Sequence, residues 1–259
     1  MGWAPALRLA VGTLTVLPSG AVTVDRPTAG RAMLLAPLAV LPLGLLAAGL
    51  AGAGTLLGWP GPVLGLVCVA GLALATRGLH LDGLADTVDG LGSGWDRERA
   101  LAVMRRGDVG PMGAVALVLV LGIQASVIGT LATGWPSALG VAVLVCCSRA
   151  VLAVVCRRGV PAARPSGLGA AVAGSVPALA AVTSQVVTAA VLALLWRWLD
   201  GAWWAGLLTA VAAAAAGVLL VAWCVRRFGG VTGDVMGAAV EVSLTVLLLG
   251  ACAGGGWAR

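Results

Sequence analysis

Three aspartates lie close together in the segment TRGLHLDGLADTVDGLGSGWD, residues 76–96. Asp82, Asp86 and Asp89 are spaced i, i+4 and i+7, so a helix places their carboxylates along one stripe. Three neighbouring anions repel one another, and such a stripe persists where cations neutralise it. Carboxylate oxygens suit Mg²⁺ before Mn²⁺, and zinc is disfavoured because only His80 is near. The spacing predicts that the three aspartates hold a metal, the alternative being a solvated acidic helix face.

Arginines near this stripe extend the expected chemistry to phosphates. Mg²⁺ bound by one or two carboxylates usually shares its remaining positions with substrate phosphates. Phosphoryl or nucleotidyl-phosphate transfer is the chemistry that such a set supports. His80 is either a proton acceptor or substrate partner, or an interfacial residue that satisfies a backbone carbonyl. The arginines predicted to clamp the phosphates are Arg77, Arg105, Arg106 and Arg164.

A second polar motif, GGVTGD, precedes the last apolar stretch at residues 229–234. Its glycines permit a tight turn, and Thr232 and Asp234 can add oxygen ligands. Glu241 lies seven residues after Asp234, on the same helical face and inside a span where an unpaired carboxylate is expensive. The motif therefore predicts a substrate-binding role for Thr232, Asp234 and Glu241, against the alternative of a plain interhelical turn.

The elements that must position these residues are membrane helices. Of 259 residues, 60% are apolar and 10% are charged, a balance that excludes a water-soluble domain and a disordered chain. We expect an all-α polytopic bundle in one membrane-embedded catalytic domain, 1–259, with a shorter interfacial or re-entrant helix over 3–17. The seven predicted spans are 32–57, 61–79, 110–133, 135–156, 174–198, 203–223 and 235–252.

The arginines predict the orientation. All 16 basic residues are arginine, and with seven spans thirteen of them fall on one side and two on the other. The positive-inside rule makes the first side cytoplasmic and places the motif loop near 77–109 there, with 157–173 and 226–234. Arginines scattered at span ends disfavour nucleic acid as a partner. Arg149, within a span, either snorkels or has a function.

Local signals predict smaller features. The segment 95–110 is typical of a short amphipathic surface helix, with Asp96 and Glu98 as cap and first-turn acids and Gly107 as its stop. The six cysteines lie in or beside apolar stretches without CxxC spacing, which indicates buried thiols and neither disulfides nor a zinc site. The start of the chain lacks the layout of a signal peptide, so residue 1 is expected to belong to the mature protein.

These motifs together resemble the cobalamin synthase family, the adenosylcobinamide-GDP ribazoletransferases. The similar segments are RGLHLDGLADTVDGLG, then VMRRGDVGPMG, then GGVTGDVMGA with Glu241, and the similarity extends to the start LRLAVGTLTVLP and to 149–169. The sequence differs where the family has basic-Asp-Ser, because Met104 is followed by two arginines and a glycine, so Asp108 is a candidate replacement acid. It differs again at Val240 and Leu244, where the family has Asn and Glu.

The resemblance implies a multi-pass inner-membrane enzyme that needs Mg²⁺ and works at the cytoplasmic face. Its substrates would be adenosylcobinamide-GDP and alpha-ribazole or its 5'-phosphate; its products, adenosylcobalamin or its 5'-phosphate, and GMP. Asp82, Asp86 and Asp89 would hold the metal on the GDP pyrophosphate, and one aspartate or His80 would take the proton.

Two other classes of membrane protein share features with this sequence. A CDP-alcohol phosphotransferase also presents aspartates on membrane helices, but Asp82-Gly83-Leu84-Ala85-Asp86 lacks the arginine which that motif requires. A cation-coupled transporter would place its acids near the bilayer midplane, whereas these acids crowd at span ends. The sequence leaves the oligomeric state open, a homo-oligomer included.

Overall fold

The computed structural model describes residues 2–254 and 257, and within them the chain is helical without any strand. Six helical segments are long and apolar enough to cross a membrane, or seven if one bent helix pair is a single span. This confirms an all-α polytopic bundle. The helices are α1 Trp3–Leu14, α2 Arg26–Ala39, α3 Leu41–Leu56, α4 Gly61–Ala75, α5 Leu79–Gly92, α6 Arg97–Val103, α7 Pro111–Leu131, α8 Trp135–Ser148, α9 Val151–Val155, α10 Leu168–Val172, α11 Ala178–Trp198, α12 Trp203–Phe228 and α13 Gly233–Ala253.

The N-terminal helix α1 is shorter than the expected 3–17 and ends at Leu14. Twelve residues rise only about 18 Å, too little to cross a ~30 Å hydrocarbon core. Ala6, Ala10 and Leu14 are buried on one side of the helix, which packs against α2. The helix therefore packs beside the first span and is too short to cross the membrane itself.

The expected span over 61–79 is divided. Helix α4 ends at Ala75, and α5 begins at Leu79 with its axis turned by 92°. Arg77 and Gly78 between them have φ angles of 57° and 68°, in the left-handed region that does not continue a helix. The turn lays the aspartate-bearing helix α5 across the end of the bundle, against α7 and α13.

Helices α5 and α13 cross at two glycines. A Cβ atom on Gly83 would lie 2.6 Å from the carbonyl oxygen of Asp234, and one on Gly237 would lie 3.0 Å from Cα of His80. Close approach of this kind is the usual function of small residues at membrane helix contacts. It brings the aspartates of α5 beside the start of α13.

Loops from distant parts of the chain meet at the same end, which we name the motif end. The amide of Ala163 donates to the carbonyl oxygen of Val231 at 2.9 Å. The Arg97 side chain donates to the Ala163 carbonyl at 3.2 Å, and Arg227 donates to that of Leu91 at 3.5 Å. These contacts join the segments 77–109, 157–173 and 226–234, as the alternation of spans predicts.

The short helix near 95–110 begins as expected and ends early. The Asp96 side chain accepts hydrogen bonds from the amides of Glu98 and Arg99, which confirms Asp96 as the N-cap and Glu98 as a first-turn acid. Helix α6 ends at Val103, before the expected stop at Gly107. All six cysteines are free thiols. Four are buried as expected, whereas Cys146 is half-buried and Cys252 is exposed.

Candidate active site at the motif end

Charged side chains from three segments meet at the motif end. Arg164 lies 3.6 Å from a carboxylate oxygen of Asp234. Asp86 interacts electrostatically with Asp82, Asp234 and Arg164. We name Asp82, Asp86, Arg164, Thr232 and Asp234 the mouth cluster. The structure thus brings together both motifs that the sequence predicts to act on phosphates.

Local backbone geometry holds Asp234 and Thr232 in place. Thr232 is the N-cap of α13, because its hydroxyl oxygen accepts a hydrogen bond from the amide of Val235 at 3.3 Å. The same hydroxyl donates to Oδ2 of Asp234 at 3.1 Å. Arg164 is fixed from the other side by donating to the carbonyl oxygen of Leu101 at 3.3 Å. An N-cap threonine and a paired arginine therefore fix one carboxylate at the start of the helix.

The three aspartates of α5 differ in their surroundings. Asp82 is exposed, Asp86 is half-buried and Asp89 is buried. Oδ2 of Asp89 accepts from the amide of Gly110 at 2.7 Å, and its Oδ1 accepts from the amide of Gly113 at 2.9 Å. Both oxygens of Asp89 thus cap the start of α7, and its expected role as a metal ligand stays a prediction.

The remaining donor set suits a hard cation held in part by substrate. Among the described residues, no group of three or more His, Cys, Asp or Glu side chains is arranged to hold a metal ion, so the expected three-aspartate set is not assembled. Asp82 and Asp86 lie one helical turn apart and offer only carboxylate oxygens. Two carboxylates completed by phosphate oxygens form a usual Mg²⁺ environment, and this pair fits it.

A cavity of about 230 Å³ adjoins the mouth cluster. Its walls include Arg164, Thr232 and Asp234, together with residues 166–169 at the start of α10 and the side chain of His80. Asp234 is the one carboxylate among the described residues that line it.

A second polar group lies deeper, where α5, α7, α8 and α13 meet. Oε2 of Glu241 accepts a hydrogen bond from Nε2 of Gln124 at 2.8 Å, and Nδ1 of His80 lies 3.9 Å from Oε1. Arg149, fully buried, interacts electrostatically with Glu241 and donates to the Ser148 hydroxyl at 2.8 Å. We name His80, Gln124, Arg149 and Glu241 the buried network.

The buried network bears on two alternatives that the sequence leaves open, for Arg149 and for His80. Arg149 does not snorkel, because its side chain is 1% exposed. Neither ring nitrogen of His80 has a hydrogen-bond partner in the described part of the chain, so the expected contact with a backbone carbonyl is absent there. Glu241 is separated from the mouth cluster by two turns of α13 and belongs to the buried network.

Four further residues have expected or candidate roles. None forms an ion pair within the described chain, and each side chain is exposed. Arg77 lies in the turn between α4 and α5, and the other three follow α6. They are Arg77, Arg105, Arg106 and Asp108.

Sequence reasoning missed Gln124 and Arg97. Gln124 is the one side-chain amide in α7, and that isolation within an apolar span is a signal that could have identified it. Arg97 packs against Gly229, where a Cβ would lie 2.6 Å from its guanidinium carbon. No local sequence pattern predicts the contact between Arg97 and Gly229, because the two residues are far apart in sequence.

The fold and site define a class, a polytopic α-helical membrane protein with a carboxylate and arginine cluster at one end of its bundle. The family model described as cobalamin-5-phosphate synthase matches residues 6–252. The chain belongs to this family and is a transferase.

Curated relatives match along nearly the whole chain. An adenosylcobinamide-GDP ribazoletransferase of Nocardioides sp. is 49% identical, with 94% of this chain and 96% of the relative covered. Proteins of the same name from Frankia casuarinae and Bradyrhizobium diazoefficiens are 40% and 37% identical, over 93% and 95% of this chain and 92% and 93% of the relatives. No solved structure matches the chain.

Proposed function

We propose that this protein transfers the phosphocobinamide group of adenosylcobinamide-GDP to alpha-ribazole or its 5'-phosphate and releases GMP. The observation that carries the proposal is the mouth cluster itself, in which Asp82, Asp86 and Asp234 meet Arg164 beside a cavity. The names of the relatives supply the substrates. The expected site of action is the cytoplasmic face of the cell membrane, since arginines crowd at the motif end.

The reaction balances as a substitution at phosphorus. The 3'-hydroxyl oxygen of ribazole forms a bond to the phosphorus next to the corrinoid arm, the bridging P–O bond to GMP breaks, and GMP leaves with the electron pair. The hydroxyl proton passes to one of the two titratable groups that line the cavity and can accept it, Asp234 or His80. Charge stabilisation and positioning supply most of the catalysis in such transfers.

Each residue of the mouth cluster has a distinct expected role. Asp82 and Asp86 would hold Mg²⁺, which neutralises diphosphate charge when it is bound. Arg164 orients a non-bridging phosphate oxygen. Thr232 holds the Asp234 carboxylate in place by donating a hydrogen bond to it, and Asp234 in turn faces Arg164. Arg77, Arg105 and Arg106, which are exposed within the segment 77–109, would contact the guanosine diphosphate arm on approach.

Purified protein in nanodiscs tests this proposal. The expected result is GMP release that requires both substrates and is abolished by EDTA and restored by Mg²⁺. Comparing alpha-ribazole with its 5'-phosphate gives the preferred acceptor. The matched control is Asp200→Asn, an exposed acid in the turn before α12, which should keep wild-type activity. GMP release that is insensitive to EDTA would contradict the metal assignment, and absence of GMP with every acceptor would contradict the reaction.

A further inference from the structure

A second cavity at the motif end has arginines but no carboxylate among the described residues that line it. It has a volume of about 910 Å³ and lies between the start of α2 and the loop that follows α9. Arg26, Arg31 and Arg158 line it, and none of them belongs to the mouth cluster. The cavity is therefore a separate basic site.

Nearby contacts hold two of these arginines in place. Arg26 donates to the carbonyl oxygen of Ala173 at 3.2 Å, and Arg31 lies over the ring of Trp3 at 5.6 Å. Asp25, the acid nearest in sequence, caps α2 through the amide of Thr28 and interacts electrostatically with Arg31. Arg26 and Arg158 form no ion pair with a carboxylate in the described chain, so the site has a net positive charge without counting Arg31.

The basic cavity continues into an apolar groove of about 960 Å³. The groove lies between α2, α3, α8 and α11, and it shares Trp3, Leu34, Pro177 and Ala180 with the cavity. No charged side chain lines it in the described chain. The groove follows α11 from Leu179 to Val191, a length of about 18 Å. This length is somewhat more than the thickness of one leaflet of a ~30 Å hydrocarbon core.

We infer that this composite site binds an anionic phospholipid of the inner leaflet. The phosphate lies in the basic cavity and the acyl chains lie in the groove. Basic pockets between membrane helices are the usual sites for anionic head groups, and a lipid of zwitterionic head group lacks the net charge that three arginines complement. A basic cavity that continues into an apolar groove matches an amphiphile better than it matches a free phosphate or a soluble nucleotide.

The experiment measures lipid binding to the detergent-purified full chain by native mass spectrometry and by thermal unfolding. Phosphatidylglycerol should bind and raise Tm, whereas phosphatidylcholine at the same mole fraction and inorganic phosphate should have little effect. Arg158→Gln, at an exposed position, should weaken phosphatidylglycerol binding about fivefold. Ala180→Trp should obstruct the junction between cavity and groove and reduce binding with all arginines intact.

The matched control is Arg226→Gln, which removes an exposed arginine from the motif end outside this site and should bind phosphatidylglycerol as the wild type does. Equal binding of the two phospholipids by the wild type would overturn the inference. So would undiminished phosphatidylglycerol binding in both Arg158→Gln and Ala180→Trp, or a rise in Tm with inorganic phosphate equal to that with the lipid. None of these readouts depends on the enzyme's activity.

Discussion

The two acids of α13 lie in opposite environments. Asp234 lies at the first turn, half-buried, and faces Arg164 beside a cavity. Glu241, two turns deeper, is 6% exposed and is enclosed by Gln124, His80 and Arg149. The first environment adjoins a cavity of about 230 Å³, whereas the second has a cavity of only about 20 Å³. A carboxylate within a span therefore stabilises the fold in one place and is available for chemistry in the other.

The largest expected effect is on folding, from the buried network. Arg149→Leu removes the cation that interacts electrostatically with the buried Glu241. Breaking a direct buried ion pair costs about 3–5 kcal/mol, and this is an upper limit here because the two side chains form no ion pair in the described chain. We expect poor recovery of folded protein after extraction and a strongly lowered Tm. The double variant Arg149→Leu with Glu241→Leu should regain much of the loss. A single variant as stable as the wild type would show that the two environments do not differ as described.

The next effect is on catalysis alone, from the mouth cluster. Asp86→Asn keeps the shape of the side chain and removes its charge, so transfer should fall about 10²–10³-fold while Tm stays near that of the wild type. GMP release and thermal unfolding of the same preparation provide the measurement, with Asp200→Asn as the control. Full activity would remove Asp86 from the site.

A smaller effect is expected at Arg164, which contacts the cluster from a loop. Arg164→Gln removes the charge facing Asp234, and hydrogen bonds to charged groups contribute about 1.5–3 kcal/mol. The KM for adenosylcobinamide-GDP should rise at least about tenfold, more than kcat falls, and Arg164→Lys should recover part of the loss. A change in kcat with an unaltered KM would argue against phosphate orientation by this side chain.

The smallest effect separates the third aspartate from the first two. Asp89→Asn weakens a cap on α7, and losing a cap costs about 0.5–2 kcal/mol. Tm should fall by a few degrees, with transfer and its Mg²⁺ requirement almost unchanged. The opposite pattern, lost transfer with an unaltered Tm, would restore Asp89 as a metal ligand.

The sequence predicts the mouth cluster better than the buried network. The spacing of Asp82 and Asp86 and the motif around Asp234 are local signals, and the alternation of spans brings them to one end. The role of Asp89 is not local, because it depends on the amides of Gly110 and Gly113, which approach only after α5 has turned. Periodicity alone could not separate a capping aspartate from its neighbours.

The buried network was less predictable for a related reason. Glu241 and Arg149 each stand out as charges within apolar stretches, but their electrostatic interaction links α13 to the end of α8 across the bundle. The division of the expected 61–79 span was also missed. Its apolar composition continues up to Arg77 and Gly78, whose left-handed conformation breaks the helix.

Cation binding at the mouth cluster tests the central claim most directly. Mn²⁺ can replace Mg²⁺ as the probe, and its binding to the purified protein with GDP can be followed by electron paramagnetic resonance. We predict one GDP-dependent Mn²⁺ site, lost in the Asp82→Asn/Asp86→Asn double variant and retained in Asp89→Asn and in Asp200→Asn. Binding that survives in the double variant would contradict the assignment of the metal to this pair.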